Sequence, residues 1–210
     1  MGDFTIDDSL KEAFSKKNIN YSPLRMATAE EFFEAIGKAK QLNEHGAFVS
    51  QHSIAEYREM TLLMTQDSTA GIAIEKNANI VSAFNGGNKR GLFQTLLPVA
   101  IKLGGRKLDN FDSDKLSSMY EMYGFWPISS TKFDRQEAPI DWNYTRDGEP
   151  NIVFWIHNGD TAEDVILNLG NYEALWDDVK EFDTYEAAEL FRDALIDEID
   201  ELQVRDGEGE

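Results

Sequence analysis

The chain has 210 residues, 41% of them hydrophobic, with no cysteine, three histidines and a formal net charge of −19. That length suits one core with an appended smaller element. Without cysteine there are no disulfides, zinc–thiolate sites or thiol catalysis, and His45, His52 and His157 are too scattered for a histidine-based metal centre, so no metal ligand is assigned. No apolar run approaches the roughly 20 residues of a membrane span. The acidic start Met-Gly-Asp-Phe-Thr-Ile-Asp-Asp lacks the apolar stretch of a signal peptide, so a cytoplasmic protein with no membrane partner is expected.

The charge is unevenly placed. Residues 160–210 hold 18 acidic side chains against Lys180, Arg192 and Arg205, whereas residues 1–159 hold 21 acidic and 17 basic ones. Phosphates would be repelled by that C-terminal quarter, which disfavours direct nucleic-acid binding there. A solvated acidic face is the plain reading. A surface for a basic partner, or a polyanion mimic, is the sharper one.

In chain order, residues 1–22 read as a short helix or a loose arm, and Leu24-Arg-Met-Ala27 as a first strand. Thr28-Ala-Glu-Glu31 is a capping box, followed by Phe32, Ala35, Ile36 and Ala39 at helical spacing. Ala47-Phe-Val-Ser50 reads as extended. Ser53-Ile-Ala-Glu56 is a second capping box, and Ile54, Tyr57, Met60, Thr61 and Met64 continue one helical face. Ala70–Ile74 and Ile80–Phe84 are apolar runs that read as a hairpin. The segment Asn85-Gly-Gly-Asn-Lys-Arg-Gly-Leu-Phe-Gln-Thr-Leu-Leu97 is a glycine-rich, basic loop entering an apolar helix. The N-terminal end of a helix offers unpaired N–H groups and partial positive charge, which suit a phosphate. The glycines could equally form a plain strand-to-helix turn. Pro98 implies a late start or a bend.

Asp112 or Ser113 caps a helix with Leu116, Met119, Tyr120 and Tyr123 on its apolar face, ended by Gly124. Phe125–Phe133 reads as a strand with an edge or bulge at Pro127, residues 134–150 as a polar loop, and Ile152–Ile156 as a buried strand. Ala162–Leu169 and Tyr172–Val179 read as short helical pieces. Asp183-Thr-Tyr-Glu186 is a third capping box. It opens an acidic helix whose stripe, Ala188, Phe191, Leu195, Ile199 and Leu202, must bury against the main body or a partner, a second copy included.

Met119-Tyr-Glu-Met-Tyr-Gly-Phe125 resembles the Leu-Tyr-Glu-Lys-x-Gly-Phe segment of the GNAT acetyltransferase superfamily. The order of elements fits too: a strand, two helices, a hairpin, a phosphate loop with its helix, a strand, this helix and two last strands. Gly104-Gly-Arg-Lys-Leu-Asp-Asn-Phe111, Tyr120 to Phe125, Pro139-Ile-Asp-Trp-Asn-Tyr144 and Pro150-Asn-Ile-Val-Phe154 together are similar to segments of GNAT-like proteins of bacteriophages and mobile elements. The resemblance covers about residues 24–157. It implies an α/β fold of the α+β kind: a central mixed sheet flanked by helices over residues 23–158, between an N-terminal arm (1–22) and an acidic helical extension (159–210).

The resemblance also implies a function: acetyl-CoA-dependent transfer to an amine acceptor. Its loop pattern, Gln/Arg-x-x-Gly-x-Gly/Ala, places Asn88 at the first position and Gly91 at the first glycine; the second glycine position falls on Phe93. The implied cofactor-binding set is Phe84, through an oxyanion-binding backbone N–H, with Gly86, Gly87, Asn88, Lys89, Arg90 and Gly91. Tyr120 matches the tyrosine that protonates the departing thiolate, although its apolar face also suits the core. Glu75, Ser82 and Asp109 are three open choices for a base. Two other readings stand beside the enzyme. One is a degenerate GNAT-like scaffold that binds a host or viral protein through residues 160–210. The other is an acidic decoy for a nucleic-acid-binding protein.

Overall fold

The computed structural model describes residues 3–87 and 90–207. It is a mixed α/β fold with two sheets flanked by helices. The first is antiparallel, with spatial order β1 (Asp3–Phe4), β2 (Leu24–Met26), β3 (Thr61–Thr65), β4 (Ala70–Ile74) and β5 (Ile80–Asn85). The second runs β6 (Lys107–Phe111), β8 (Ile152–His157), β7 (Phe125–Thr131) and β9 (Lys180–Phe182), with β9 parallel to β7. In place of one continuous sheet, the two halves meet at a single parallel bridge, Asn79 with Lys107.

Successive strand residues point to opposite faces, and the core divides accordingly. Leu63, Ile72 and Ile80 face one cluster, with Phe14 of α1 (Asp8–Lys16), Leu96 and Val99 of α4 (Phe93–Lys102), Tyr120 of α5 (Asp114–Met122) and Val165 of α7 (Ala162–Leu167). Leu62, Met64, Ala73 and Phe84 face the other, with Phe32 and Ile36 of α2 (Ala29–Leu42) and Tyr57 of α3 (Ile54–Tyr57). Two of the three expected capping boxes form: Glu31 N–H donates to Thr28 Oγ1 at 3.2 Å and Glu56 N–H to Ser53 Oγ at 3.3 Å, whereas ahead of the last helix it is Thr184, one residue after Asp183, that accepts, from Ala187 N–H at 3.2 Å. Gly124 ends α5 at φ +78°, a conformation that glycine adopts without strain. Pro127 sits at a register shift in β7, beyond the stretch that pairs with β9.

Several elements depart from the sequence pattern. The N-terminal arm is built in: β1 pairs with β2, and Leu10 and Phe14 of α1 are buried. The helical stripe from Ile54 to Met64 breaks after one turn, because Thr61–Thr65 pairs on both sides, with β2 and with β4. Residues 46–48 form a 3-10 turn in place of an extended piece. Only Trp176–Asp178 of the second C-terminal helical piece is helical, as a 3-10 turn, and β9 follows.

The long helix α8 (Tyr185–Gly207) lies across the second sheet. Ala188 is fully buried, and Ser129 Oγ donates to its carbonyl at 2.8 Å. Lys107 reaches Asp193 at 2.7 Å, and Arg106 reaches both carboxylate oxygens of Asp200 at 2.8 Å. The Leu202 side chain lies outside the described residues. No helix among the described residues is long and apolar enough to cross a membrane.

Candidate functional site

The site begins where the sheets part. Arg106 N–H donates to Ala78 O at 2.9 Å beside the Asn79–Lys107 bridge, and among the described residues no ladder joins the rest of β5 to the rest of β6. Two parallel strands therefore diverge and leave facing backbone edges without strand partners. Such N–H and C=O groups bind water or an extended ligand. The divergence is helped by a bulge. The β4–β5 register slips by one residue between Gly71 and Ala73, and Ser82 opposite the slip has φ +51°. A bulge of this kind bends its strand and raises its twist. Ser82 Oγ donates to Ser50 O at 2.8 Å and lies 2.9 Å from Tyr57 Oη, so this hydroxyl anchors the 50–57 segment over one face. It is not placed as a free base.

At the open end of the gap stands the basic loop. Gly86 is there for packing: a Cβ on it would sit 2.7 Å from both Cα and Cβ of Ala39 in α2. Its N–H donates to Thr69 O at 2.8 Å, and Gly87 N–H donates to Asn85 Oδ1 at 3.1 Å. Both groups are thereby engaged within the fold. Phe84 is buried with its ring against Phe32, at a centroid distance of 5.4 Å. Asn88 and Lys89, expected among the cofactor ligands, lie outside the described residues. Gly91, at φ +81°, turns the chain into α4, whose N-terminus has no side-chain cap. The first N–H groups of a helix have no partner within it, and here they fall at the loop's end, around Leu92 and Phe93. Phe93 is half-buried and opens the helix.

Tyr120 and Asp109 lie on opposite faces of the second sheet. Tyr120 is 7% exposed and packs with Phe125 and Trp155 at centroid distances of 6.0 Å. Burial, and then the nearby Asp109 carboxylate, push its phenol well above the usual range. Asp109 pairs across β6–β8 with Phe154, whose ring meets Tyr185 at 4.8 Å and lies 5.5 Å from the Arg192 guanidinium. Asp109 therefore faces α8, whereas Tyr120 lies on the other side. Burial raises the Asp109 pKa; the Arg192 charge and a hydrogen bond from the Tyr185 hydroxyl act against that rise. Arg192 is itself 0% exposed and donates to Leu108 O at 3.3 Å and to Asp193 Oδ1 at 2.8 Å. Glu75 accepts from Asn79 Nδ2 at 3.1 Å and adds a second negative charge to the field at Asp109.

The structure thus puts Glu75 beside Asn79 at the bridged end of β5 and Arg90 and Gly91 beyond its other end, whereas Tyr120 packs on β7 and β8 and Asp109 faces α8. Tyr185, Arg192 and Asn79 were not singled out from the sequence. Arg192 did carry a signal: it interrupts the apolar stripe of an acidic helix, four residues after Ala188, where a cation needs a buried anion. Among the described residues, no group of three or more His, Asp or Glu side chains is placed to hold a metal ion. A pocket of about 430 Å³ opens on the β4 side of Gly86, away from the gap, and its Arg25 pairs with Glu31 at 3.0 Å. No family model, curated protein or solved structure matches the chain.

Proposed function

We propose that the chain is an N-acyltransferase of the GNAT kind, with acetyl-CoA in the gap between β5 and β6 and an amine as acceptor. The observation that carries this reading is the parting of β5 from β6 after one bridge, with an uncapped helix start at the open end. A thin, amide-bearing arm fits two unpaired strand edges, because its amides can complete their hydrogen bonds. The phosphates would meet the N-terminal end of α4 and Arg90.

Tyr120 would donate a hydrogen bond to the departing sulfur. A phenol raised so far stays protonated at neutral pH, and it is a weaker acid than a thiol, whose ordinary pKa is about 8.5. Stabilising the thiolate by a hydrogen bond is therefore easier than complete proton transfer. The reaction needs little else from the chain than orientation and a backbone N–H for the oxyanion. The scaffold alternative draws less support, since the apolar stripe expected to recruit a partner covers the chain's own second sheet.

Calorimetry and thermal unfolding with acetyl-CoA test the reading. Saturating ligand at a hundred times Kd adds about 2.7 kcal/mol, a rise of roughly 5 to 10 °C for a chain of this length. The absence of both binding heat and a thermal shift at millimolar acetyl-CoA would sink the proposal. Phe93→Ala is expected to tighten binding, because a smaller residue lets the helix backbone approach the diphosphate.

A further inference from the structure

Between α8 and the second sheet lies a cavity of about 160 Å³, walled by Trp126, Ile128, Ile156, Leu195, Ile199 and Arg106. Its cause is local. Near the start of α8, Ser129 ties the sheet to the helix through the Ala188 carbonyl at 2.8 Å. The register slip between Pro127 and Ser129 then leaves Ile128 without a partner in the ladder, and a bulge of this kind bends its strand and raises its twist. Sheet and helix part beyond it. Ala188 is 0% exposed, whereas Leu195 and Ile199 of the same stripe are only half-buried and Trp126 is 47% exposed. Strand β9 pairs with β7 over Ser129–Thr131 and does not reach Trp126.

Folded interiors leave few voids larger than a water molecule, and a buried water needs roughly two to four polar partners. The polar groups at this cavity are engaged elsewhere. Arg106 Nη1 donates to both carboxylate oxygens of Asp200 at 2.8 Å. The Asn158 side chain bonds Asp160 in both directions, Nδ2 donating to the carboxylate and Oδ1 accepting from the backbone N–H, each at 3.0 Å. Gly159 N–H donates to His157 Nδ1 at 3.3 Å. An apolar cavity so lined stays dry, and one of about 150 Å³ accommodates benzene.

We infer that this cavity is a binding site for a neutral single-ring aromatic molecule. The volume sets the size of the guest. The Trp126 ring and the planar Arg106 guanidinium favour an aromatic face over an aliphatic one. Charge decides against an anion, because Arg106 is already matched by Asp200, and Asp197 and Glu198 stand on α8 between Leu195 and Ile199. A cation would give up its hydration for apolar walls and the Arg106 charge. The inference is independent of the acyltransferase reading. Arg106 N–H donates to Ala78 O at 2.9 Å, and its carbonyl accepts from His157 N–H at 2.7 Å, so one wall of the cavity is also the residue where the two sheets meet. A guest adds apolar contact between α8 and the sheet and should raise the melting temperature.

The test is calorimetry of the full chain with toluene, and with benzoate as the charged molecule of similar size. Toluene is expected to bind with a dissociation constant of roughly 0.1–1 mM, in the range that a few buried heavy atoms support, and benzoate at least tenfold more weakly. Ile199→Phe and Ile128→Phe put a ring of the chain's own into the space. Each should weaken toluene at least tenfold, with thermal unfolding reporting that the fold persists; should one not fold, the other carries the test. In a chain labelled with 5-fluorotryptophan, the fluorine resonance that Trp126→Phe removes is expected to move with toluene. No heat at millimolar toluene, benzoate bound as tightly as toluene, wild-type affinity in a folded filled variant, or a Trp126 resonance that stays in place would overturn the inference.

Discussion

The two sheets are held in different ways. Around the first, the packing is apolar: Phe32, Ile36, Tyr57, Met64 and Phe84 close one face, and among its ion pairs Lys38–Glu34 and Arg58–Glu30 are exposed. Around the second, charges are inside. Arg192 is fully buried, Lys107 is 5% exposed, and both reach carboxylates. Apolar burial stabilises without direction, whereas a buried charge is tolerated only with a partner in place. The first sheet is therefore held mainly by apolar packing, and the second by buried charges fixed in direction by their partners. The gap between them has one wall of each kind.

The largest way to break this contrast is to remove a buried charge. Arg192→Ala is expected to cost about 3–5 kcal/mol, a fall of roughly 6 to 20 °C in melting temperature for a chain of this size. Adding Asp109→Asn should recover part of the loss, because the carboxylate left without Arg192 is then gone. Equal melting of wild type and Arg192→Ala would show that the guanidinium does not hold the second sheet.

Acid should also act on that half. His157 is 4% exposed, and burial lowers its pKa from 6.5 to about 4. Between those values the unfolded chain binds a proton that the folded chain does not. Stability therefore rises with pH across this window and falls as pH drops from 6.5 towards 4, by about 3 kcal/mol in total. Denaturant melts at both ends of the window measure the slope, and His157→Gln should flatten it.

On the apolar side the expected losses are smaller. Gly86→Ala forces a methyl against the backbone of Ala39, 2.7 Å away, and overpacking of that kind costs about 1–3 kcal/mol. Its effect should be on stability; acetyl-CoA affinity should change only if the loop shifts with it. Thr28→Ala removes the first capping box and should cost about 1 kcal/mol, read by urea denaturation, with no change at the gap.

Parts of both sheets and their helices could be read in advance. The capping boxes, the hairpin, the apolar run of β8 and the glycine ending α5 are local signals, set by spacing and by backbone preference. Strand β3 could not be read, because Met60, Thr61 and Met64 fit a helical face as well as a strand, and only pairing on both edges decided between them. Strand β9 is three residues long, too short to show a period. At the site, Tyr120 and Asp109 were visible as residue types in the right order. Their placement on opposite faces was not, since it depends on how α5 and α8 pack on the sheet. Gly86 looked like a phosphate glycine, and its close contact is with α2, some 47 residues earlier in the chain.

The sequence by itself determined the starts of α2 and α3, the stop of α5, and the concentration of negative charge in residues 160–210, because each depends on neighbours within a few positions. Only the tertiary structure decided that β5 and β6 part after one bridge, that α8 turns its stripe and the buried Arg192 onto the second sheet, and that Arg106, just before β6, meets Asp200 of α8. Those contacts join residues up to a hundred positions apart. Their cause is the need of each buried charge and each unpaired backbone edge to find a partner in the folded chain.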